Sequence, residues 1–406
     1  MKQKVSDYIA DRIAQWGIRD VFTVTGGGAM HMNDSFGHHP KLHCTYQHHE
    51  QACAMAAEAY ARMDNRMAAV CVTTGPGATN AITGVLGAWM DSIPMLVFSG
   101  QARYATTVPA SGLPLRSMGV QECNIVPVVA SITPYAQMVI HPEDIRYHLE
   151  KALYMAATGR PGPVWLDLPR DVQGAIIETE SLRAYDPAEN PEQRPQEILQ
   201  ETIEKILDKI EESHRPVLSP GNGVRLAGAI EEFHELVDVL GVPVVTGMSS
   251  VDALESDHPY FVGRSGGTGT RPGNFALQNS DVLLSIGNRQ GFAQTGFQYQ
   301  DWARESYTIL NDIDENELKK PNLHVSLPVV GDAGELIRGL LAEAKKRGAD
   351  KGYPLFKGED WRKQCLLWKK KYPIVTEKHY ETLEEGCTNI YAFYGELSKA
   401  MKENET

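Results

Sequence analysis

Three short stretches of this chain carry residue types that can do chemistry. The first is His48-His49-Glu50, an acid behind two imidazoles at the head of a segment rich in alanine (Ala52, Ala54, Ala56, Ala57, Ala59, Ala61). An acid in the first turn of a helix compensates the helix dipole. A carboxylate in a semi-apolar cleft, its pKa raised, can instead hand over a proton. Spacing alone leaves both readings open for Glu50. The two histidines suggest a metal, but no third ligand follows at a sensible spacing, so no metal site is expected. The second stretch is Gly75-Pro76-Gly77-Ala78-Thr79-Asn80. Its small residues would let a ligand approach the backbone, and Asn80 adds a donor and an acceptor. The third, Gly26-Gly27-Gly28, is a weaker signal, because a strand-to-helix turn often needs glycine for a positive φ. As bare patterns both glycine stretches also read as tight turns.

The elements that must position these residues alternate. Val5, Ile9, Ile13 and Trp16 fall at helical spacing, with Gly17 as a C-cap. A strand from Asp20 to Thr25 runs into the glycines at 26–28. A helix follows over 50–62, then a buried strand over 68–73 that ends at Gly75, with a helix from about Thr79. Another apolar strand covers 94–98 and closes on Ser99-Gly100; a helix near 143–157 precedes a strand over 164–168. This alternation predicts an α/β fold with a doubly wound, mainly parallel sheet. Sheets of that kind bind ligands at the carboxyl ends of their strands, where the glycine stretches fall.

Pro187, Pro191 and Pro195 among acids mark 179–195 as a linker after a first domain over 1–178. A second α/β domain covers 196–346: a helix over 196–213, strands near 216–219, 242–246, 281–286 and 307–313, and a helix near 333–346. Residues 347–360 are polar with Gly and Pro, again linker-like, and Ile390, Phe393, Tyr394, Leu397 and Met401 form a helical stripe with no strand after it.

Composition narrows the function. The 406 residues are 22% charged and 42% hydrophobic, enough for two or three domains with real cores and unlike a coiled coil, a collagen or a disordered chain. A net charge of −13 argues against a nucleic-acid partner. No stretch approaches the roughly 18 apolar residues of a membrane span. Met1-Lys2-Gln3-Lys4 runs straight into an amphipathic pattern rather than an apolar leader core, so the expectation is a cytoplasmic protein. The six cysteines (Cys44, Cys53, Cys71, Cys123, Cys365, Cys387) are scattered without a CxxC pair and read as small buried thiols.

Taken together, several segments resemble thiamine-diphosphate-dependent enzymes of the acetolactate synthase type. They are Thr25-Gly26-Gly27, His49-Glu50-Gln51-Ala52, Thr74 through Asn80, Asp91-Ser92-Ile93-Pro94, Ser99-Gly100-Gln101, Gln121-Glu122 and Gly159-Arg160-Pro161-Gly162-Pro163-Val164. In the second domain Pro216 through Gly223, Gly263 through Arg289 and Asp312-Ile313-Asp314 continue the likeness. The resemblance implies that 1–178 is a pyrimidine-binding domain and 196–346 a central domain. It implies that Glu50 hydrogen-bonds a ring nitrogen of the cofactor's aminopyrimidine, so that the cofactor can deprotonate itself and attack a 2-keto acid. Gly26, Gly27, Gly77 and Asn80 would line the cofactor, and Gln121 would face the reacting centre. A second carbonyl compound would be the acceptor.

The likeness has gaps. Val120 stands where the family usually has an aromatic residue, and the lysine that the synthases usually carry is missing from Thr133-Pro134-Tyr135. Both changes leave room for an acceptor other than a second pyruvate. Arg160, Gly267, Thr268, Gly269 and Arg289 match places that hold a non-redox FAD in the family, but Gly291-Phe292-Ala293 replaces the acidic pair that usually follows. The family's third domain, which binds the diphosphate through Mg²⁺, has no counterpart here; 347–406 reads as a linker and the start of that domain. The expectation is therefore an N-terminal portion or subunit of a 2-keto-acid carboligase or decarboxylase, working as a homodimer, a higher oligomer or a complex with a diphosphate-binding chain. The alternative is a non-catalytic binding or scaffolding chain that keeps the fold.

Overall fold

The continuous apolar runs of the sequence become the interior strands of two parallel sheets. In the computed structural model, which describes residues 1–381, 386–402 and 405, the chain divides into two units, Met1–Pro195 and Gln196–Thr406. Besides a short antiparallel pair, Lys2–Lys4 with Ile176–Glu178, the main sheet of the first unit holds six strands: β1 (Asp20–Thr23), β2 (His43–Tyr46), β3 (Ala69–Val72), β4 (Met95–Gln101), β5 (Tyr135–Met138) and β6 (Pro163–Pro169). Their order across the sheet is β2-β1-β3-β4-β6-β5, every pair parallel. β3, β4 and β6 are buried along their whole length, as strands with helices over both faces must be. The register of β4 on β6 sets Ser99 beside Asp167. From β1 the chain goes to one side of the sheet and from β3 to the other. The order therefore reverses between these two neighbours, which is where open α/β sheets form a ligand crevice.

The helix Val5–Trp16 buries Val5, Ile9 and Ile13 and ends at Gly17, whose φ of +106° only a glycine adopts easily. The helix expected from about Thr79 opens three residues earlier, with Pro76 in its first turn, and is split into Pro76–Asn80 and Ile82–Met90. A proline fits there because its fixed φ suits the first turn and its missing N–H is not needed.

The second unit repeats the plan with β7 (Pro216–Pro220), β8 (Val244–Thr246), β9 (Phe261–Arg264), β10 (Val282–Ile286), β11 (Tyr307–Asp312) and β12 (Leu327–Val330). Their order is β9-β8-β7-β10-β11-β12, again parallel throughout. Here the reversal lies between β7 and β10. The turns that follow these strands touch backbone to backbone: a Cβ on Gly221 would stand 2.2 Å from Asn288 Cα.

Both linker-like stretches are packed down. In 179–195, Leu182 and Tyr185 are buried, and the Tyr185 N–H donates to Glu150 Oε2 at 3.0 Å. Arg183 lies over the Tyr147 ring at 4.4 Å, and Tyr147 donates to Glu189 at 2.8 Å. In 347–360, Leu355 and Phe356 enter the second core, and their N–H groups donate to Val239 and Leu240 carbonyls at 2.8 and 2.9 Å. The helix Glu359–Lys371 then buries Trp361, whose indole donates to the Pro216 carbonyl at 3.0 Å. Composition misreads both stretches because a few aromatic anchors are enough to dock a polar segment. The helix Ile390–Ala400 buries none of its residues. Residues 382–385, 403, 404 and 406 of the segment read as linker lie outside the described residues.

Candidate active site

Glu50 opens the helix Glu50–Asp64 immediately after β2, which places it at the carboxyl edge of the first sheet. It is half-buried. Its Oε2 accepts a 2.7 Å hydrogen bond from Asn80 Nδ2, from the last residue of the helix that follows β3. The same amide lies 3.4 Å from His49 Nε2. The other oxygen, Oε1, faces Gly77: a Cβ there would come to 3.4 Å from Oε1 and 2.8 Å from Thr73 Cγ2. Gly77 thus keeps space beside one carboxylate oxygen while Asn80 fixes the other. Among the described residues, no group of three or more His, Cys, Asp or Glu side chains could hold a metal ion.

The glycines at 26–28 serve a different purpose from the one expected. None of them takes a positive φ, and Gly26 is extended at −168°. They are needed for close approach. A Cβ on Gly26 would stand 2.4 Å from Thr73 Cβ, and one on Gly28 would stand 1.8 Å from Thr74 Oγ1. The Gly28 N–H donates to Thr73 Oγ1 at 3.1 Å, and its carbonyl accepts from Gln173 Nε2 at 2.7 Å. On β4, a Cβ on Gly100 would stand 2.2 Å from the Gly28 carbonyl oxygen. Only Gly27 faces open space. The loop after β1 is therefore pressed onto the ends of β3 and β4, and of its glycines Gly27 alone has open space beside its Cα.

Gln121 joins the same edge. Gly75 has a φ of +58°, and a Cβ on it would stand 1.8 Å from the Gln121 carbonyl oxygen. Gln121 itself takes a φ of +56°, uncommon for a residue with a side chain. The neighbouring Glu122 holds its segment by accepting backbone N–H bonds from Val108 at 2.5 Å, Met118 at 2.9 Å and Gly119 at 3.0 Å. Burial pushes the Glu122 carboxyl up, but the N–H groups of Gly119, Val108 and Met118 outweigh it and hold the carboxyl below its ordinary value.

Beneath these groups lies Asp167, fully buried in β6. It accepts from Ser99 Oγ at 2.6 Å and Gln101 Nε2 at 3.1 Å, and the Trp165 indole donates to Ser99 Oγ at 2.8 Å. Burial pushes Asp167 up to about 7, with Ser99 and Gln101 pulling the other way. Sequence reading passed over this acid. The signal was present: one charge inside the apolar run Val164-Trp165-Leu166-Asp167-Leu168.

The residues matched to an FAD site divide between the units. Arg160 precedes β6, at the edge opposite Glu50, and its Nε donates to Ser92 Oγ at 3.0 Å. Gly267, Thr268, Gly269 and Arg289 lie in the second unit. There the glycine loop spends its N–H groups internally. Gly267 donates to the Ala293 carbonyl at 2.9 Å and Gly269 to the Gly266 carbonyl at 3.0 Å. Gly266 donates to Asn274 Oδ1 at 2.9 Å, and Thr270 caps the helix Arg271–Gln278 with its own hydroxyl. Arg289 has a φ of +47°, and its carbonyl accepts from Lys320 Nζ. Thr268 Oγ1 lies 3.9 Å from Met248 Sδ. The N–H groups of Gly266, Gly267, Gly269 and Thr270 are thus turned into the loop itself.

Comparison with known proteins bears on the domains that carry these residues. Residues 3–124 match the thiamine pyrophosphate enzyme N-terminal TPP binding domain, and residues 203–340 match the central domain of the same enzymes. The chain belongs to the thiamine pyrophosphate enzymes, of which it carries these two domains. Within them it is similar to acetolactate synthase large subunits. It is 29% identical to isozyme 3 of Escherichia coli over 386 residues, 93% of this chain and 64% of that relative. It is 35% identical to a probable large subunit of Methanocaldococcus jannaschii over 351 residues, 84% of this chain and 56% of the relative. To the large subunit of Corynebacterium glutamicum it is 35% identical over 335 residues, 81% of this chain and 51% of the relative. The chain thus spans between about half and two thirds of the length of these relatives.

Proposed function

We propose that this chain supplies the pyrimidine-binding half of a thiamine-diphosphate site in a carboligase or decarboxylase of 2-keto acids. The observation that carries the proposal is the Glu50–Asn80 pair beside Gly77 at the strand-order reversal. When bound, the cofactor supplies a nucleophilic carbon that adds to the keto-acid carbonyl and takes up the electron pair left by CO₂. Glu50 would present Oε1 to a ring nitrogen of the aminopyrimidine and exchange a proton with it. Asn80 orients Glu50 through Oε2 and keeps the carboxylate from turning away. Gly27 and Gly77 leave room for the ring, and Gln121 is held at the same edge by its contact with Gly75. Glu122 fixes the segment from which Gln121 projects. The Mg²⁺ that neutralises a diphosphate needs oxygen ligands from outside these residues. FAD has no role in this proposal.

The substrates we infer are a 2-keto acid and a carbonyl acceptor. Val120, beside Gln121, is 86% exposed and leaves that side of the edge uncrowded. A non-catalytic scaffold would have no need of an acid so oriented, which is why catalysis is favoured. We also infer that the site is completed across an interface, with a second copy or a diphosphate-binding chain. The helices Glu50–Asp64 and Ile82–Met90 pack closely through Gly84 and Ala54, and they leave Met55, Leu86, Trp89 and Met90 exposed. A strict monomer by sedimentation at micromolar concentration would count against this. The six unpaired cysteines suit the reducing cytoplasm.

The deciding experiment measures hydrogen–deuterium exchange at C2 of thiamine diphosphate bound to the complete protein. Glu50→Gln keeps the shape and removes the exchangeable acid, so exchange should fall by about 10²–10⁴. Unchanged exchange in the variant would overturn the reading.

A further inference from the structure

Gln121 carries a substrate-facing role in the proposed reaction, yet it sits on a mainly exposed segment between β4 and β5. Something must hold that segment to the sheet. Glu122 gathers its backbone locally but is itself part of it. The link to the rigid sheet runs through Gln101, the last residue of β4, which is buried. Gln101 Nε2 donates to the Cys123 carbonyl at 2.8 Å, two residues from Gln121, and also to Asp167 Oδ2 at 3.1 Å. Its Oε1 accepts from the Ala102 N–H at 2.9 Å. Both ends of the amide are therefore pinned. Asp167 in turn is set by Ser99 Oγ, which the Trp165 indole holds from behind. Ser99, Gln101, Trp165 and Asp167 all sit on two neighbouring strands buried along their whole length.

We propose that Gln101, oriented by the buried Asp167, is the positioning residue that fastens the Gln121 segment to the sheet and so sets where Gln121 meets the substrate. Asp167 needs no contact with the substrate for this. A buried carboxylate is costly unless hydrogen-bonded, and here its hydrogen bonds fix the rotamer of the side chain that reaches the Cys123 carbonyl. A neutral aliphatic pair could fill the same space but would leave that carbonyl without its donor and the segment held at its start by the Tyr104 N–H on Asp171 Oδ1 at 3.0 Å and by its own turns.

The test uses backbone amide exchange on the full chain, a readout that needs no turnover. Gln101→Met keeps the length and removes the donor. It should raise exchange over residues 103–123 by tenfold or more while β4 and β6 stay within twofold of wild type. Asp167→Ala should do the same, and Asp167→Asn, which keeps an acceptor for Gln101, should restore most of the protection. Unchanged exchange over 103–123 in Gln101→Met would overturn the proposal. So would a rise spread evenly over the whole unit, which would make the residue merely structural. The role of the segment in substrate handling rests on the function proposed above. In the complete protein with a 2-keto acid, Gln101→Met should lower kcat about tenfold and leave C2 exchange of the cofactor intact. If Glu50→Gln leaves C2 exchange unchanged, the functional reading fails, and amide exchange still judges Gln101 by itself.

Discussion

Asn80 and Glu50 are joined by one 2.7 Å hydrogen bond that ties the helix after β3 to the helix after β2. The bond engages Oε2, and in the proposed function that leaves Oε1 to the cofactor. Asn80→Asp places a second carboxylate where the amide was, and two such groups in contact cannot both ionise easily. One of them must rise in pKa. The pH profile of cofactor C2 exchange should therefore shift upward by a unit or more, with the fold intact by circular dichroism. An unshifted profile would mean that Asn80 does not set the state of Glu50.

Two glycines of the same edge should respond in opposite ways. Gly75→Ala meets a φ of +58° and the Gln121 carbonyl at 1.8 Å. The strain and the clash together should destabilise the first unit by about 2 kcal/mol or more and displace Gln121. Gly27→Ala meets nothing within 4 Å. Its melting temperature should match wild type, while thiamine diphosphate affinity of the complete protein falls. Equal affinity would remove Gly27 from the cofactor's surroundings.

Asp167 gives a pH dependence whose sign is fixed. Burial raises its carboxyl from the ordinary value of 3.8 to about 7 in the folded protein. Between those values the folded state binds the proton and the unfolded state does not. Stability from this group is full below pH about 4 and is lost as pH rises toward 7, on the order of a few kcal/mol. Chemical denaturation at pH 5 and pH 8 should show the loss, and Asp167→Asn should flatten it. A wild-type protein equally stable at both, once other groups are matched by the variant, would contradict the raised value.

Glu150 collects three donors: Arg12 at 2.9 Å, Arg146 at 2.9 Å and the N–H of Tyr185 at 3.0 Å. Glu150→Ala leaves two guanidinium groups side by side and frees the strap over 182–190. The expected cost is about 2 kcal/mol in urea unfolding, together with new protease cleavage within 182–195. Cleavage no faster than in wild type would show that the tyrosines hold the strap without it.

The sequence disclosed the interior of both sheets and not their borders. Periodicity and composition identified β1, β3, β4 and β6 in one unit and β7, β8, β10 and β11 in the other. β2, β5, β9 and β12 escaped, and each is an edge strand. Interior strands of a parallel sheet are apolar throughout, whereas His43–Tyr46 and Tyr135–Met138 are half-exposed and polar, and the strands at 261–264 and 327–330 contain a glycine and a proline. At the candidate site, type and spacing drew attention to Glu50, Gly77 and Asn80 but left each open between a structural and a chemical part; only the family resemblance chose between them. Asp167 and the tether through Gln101 did not, because their meaning lies in the pairing of β4 with β6, a contact between residues 66 apart in the chain. The reason for Gly26 and Gly28 was equally hidden: close approach leaves no local trace in a sequence.

The contact of Gly28 with Gly100 carries a further consequence. Where main chain meets main chain, no side chain takes part, and the spacing of that part of the crevice is not open to adjustment by exchanging one residue for another. New substrate preferences have to be acquired elsewhere, at positions whose side chains project from the edge without supporting it. Val120, almost wholly in solvent beside a firmly held Gln121, is such a position. The molecule keeps its inherited geometry in the backbone and leaves its capacity for change to a rim that can vary without disturbing it.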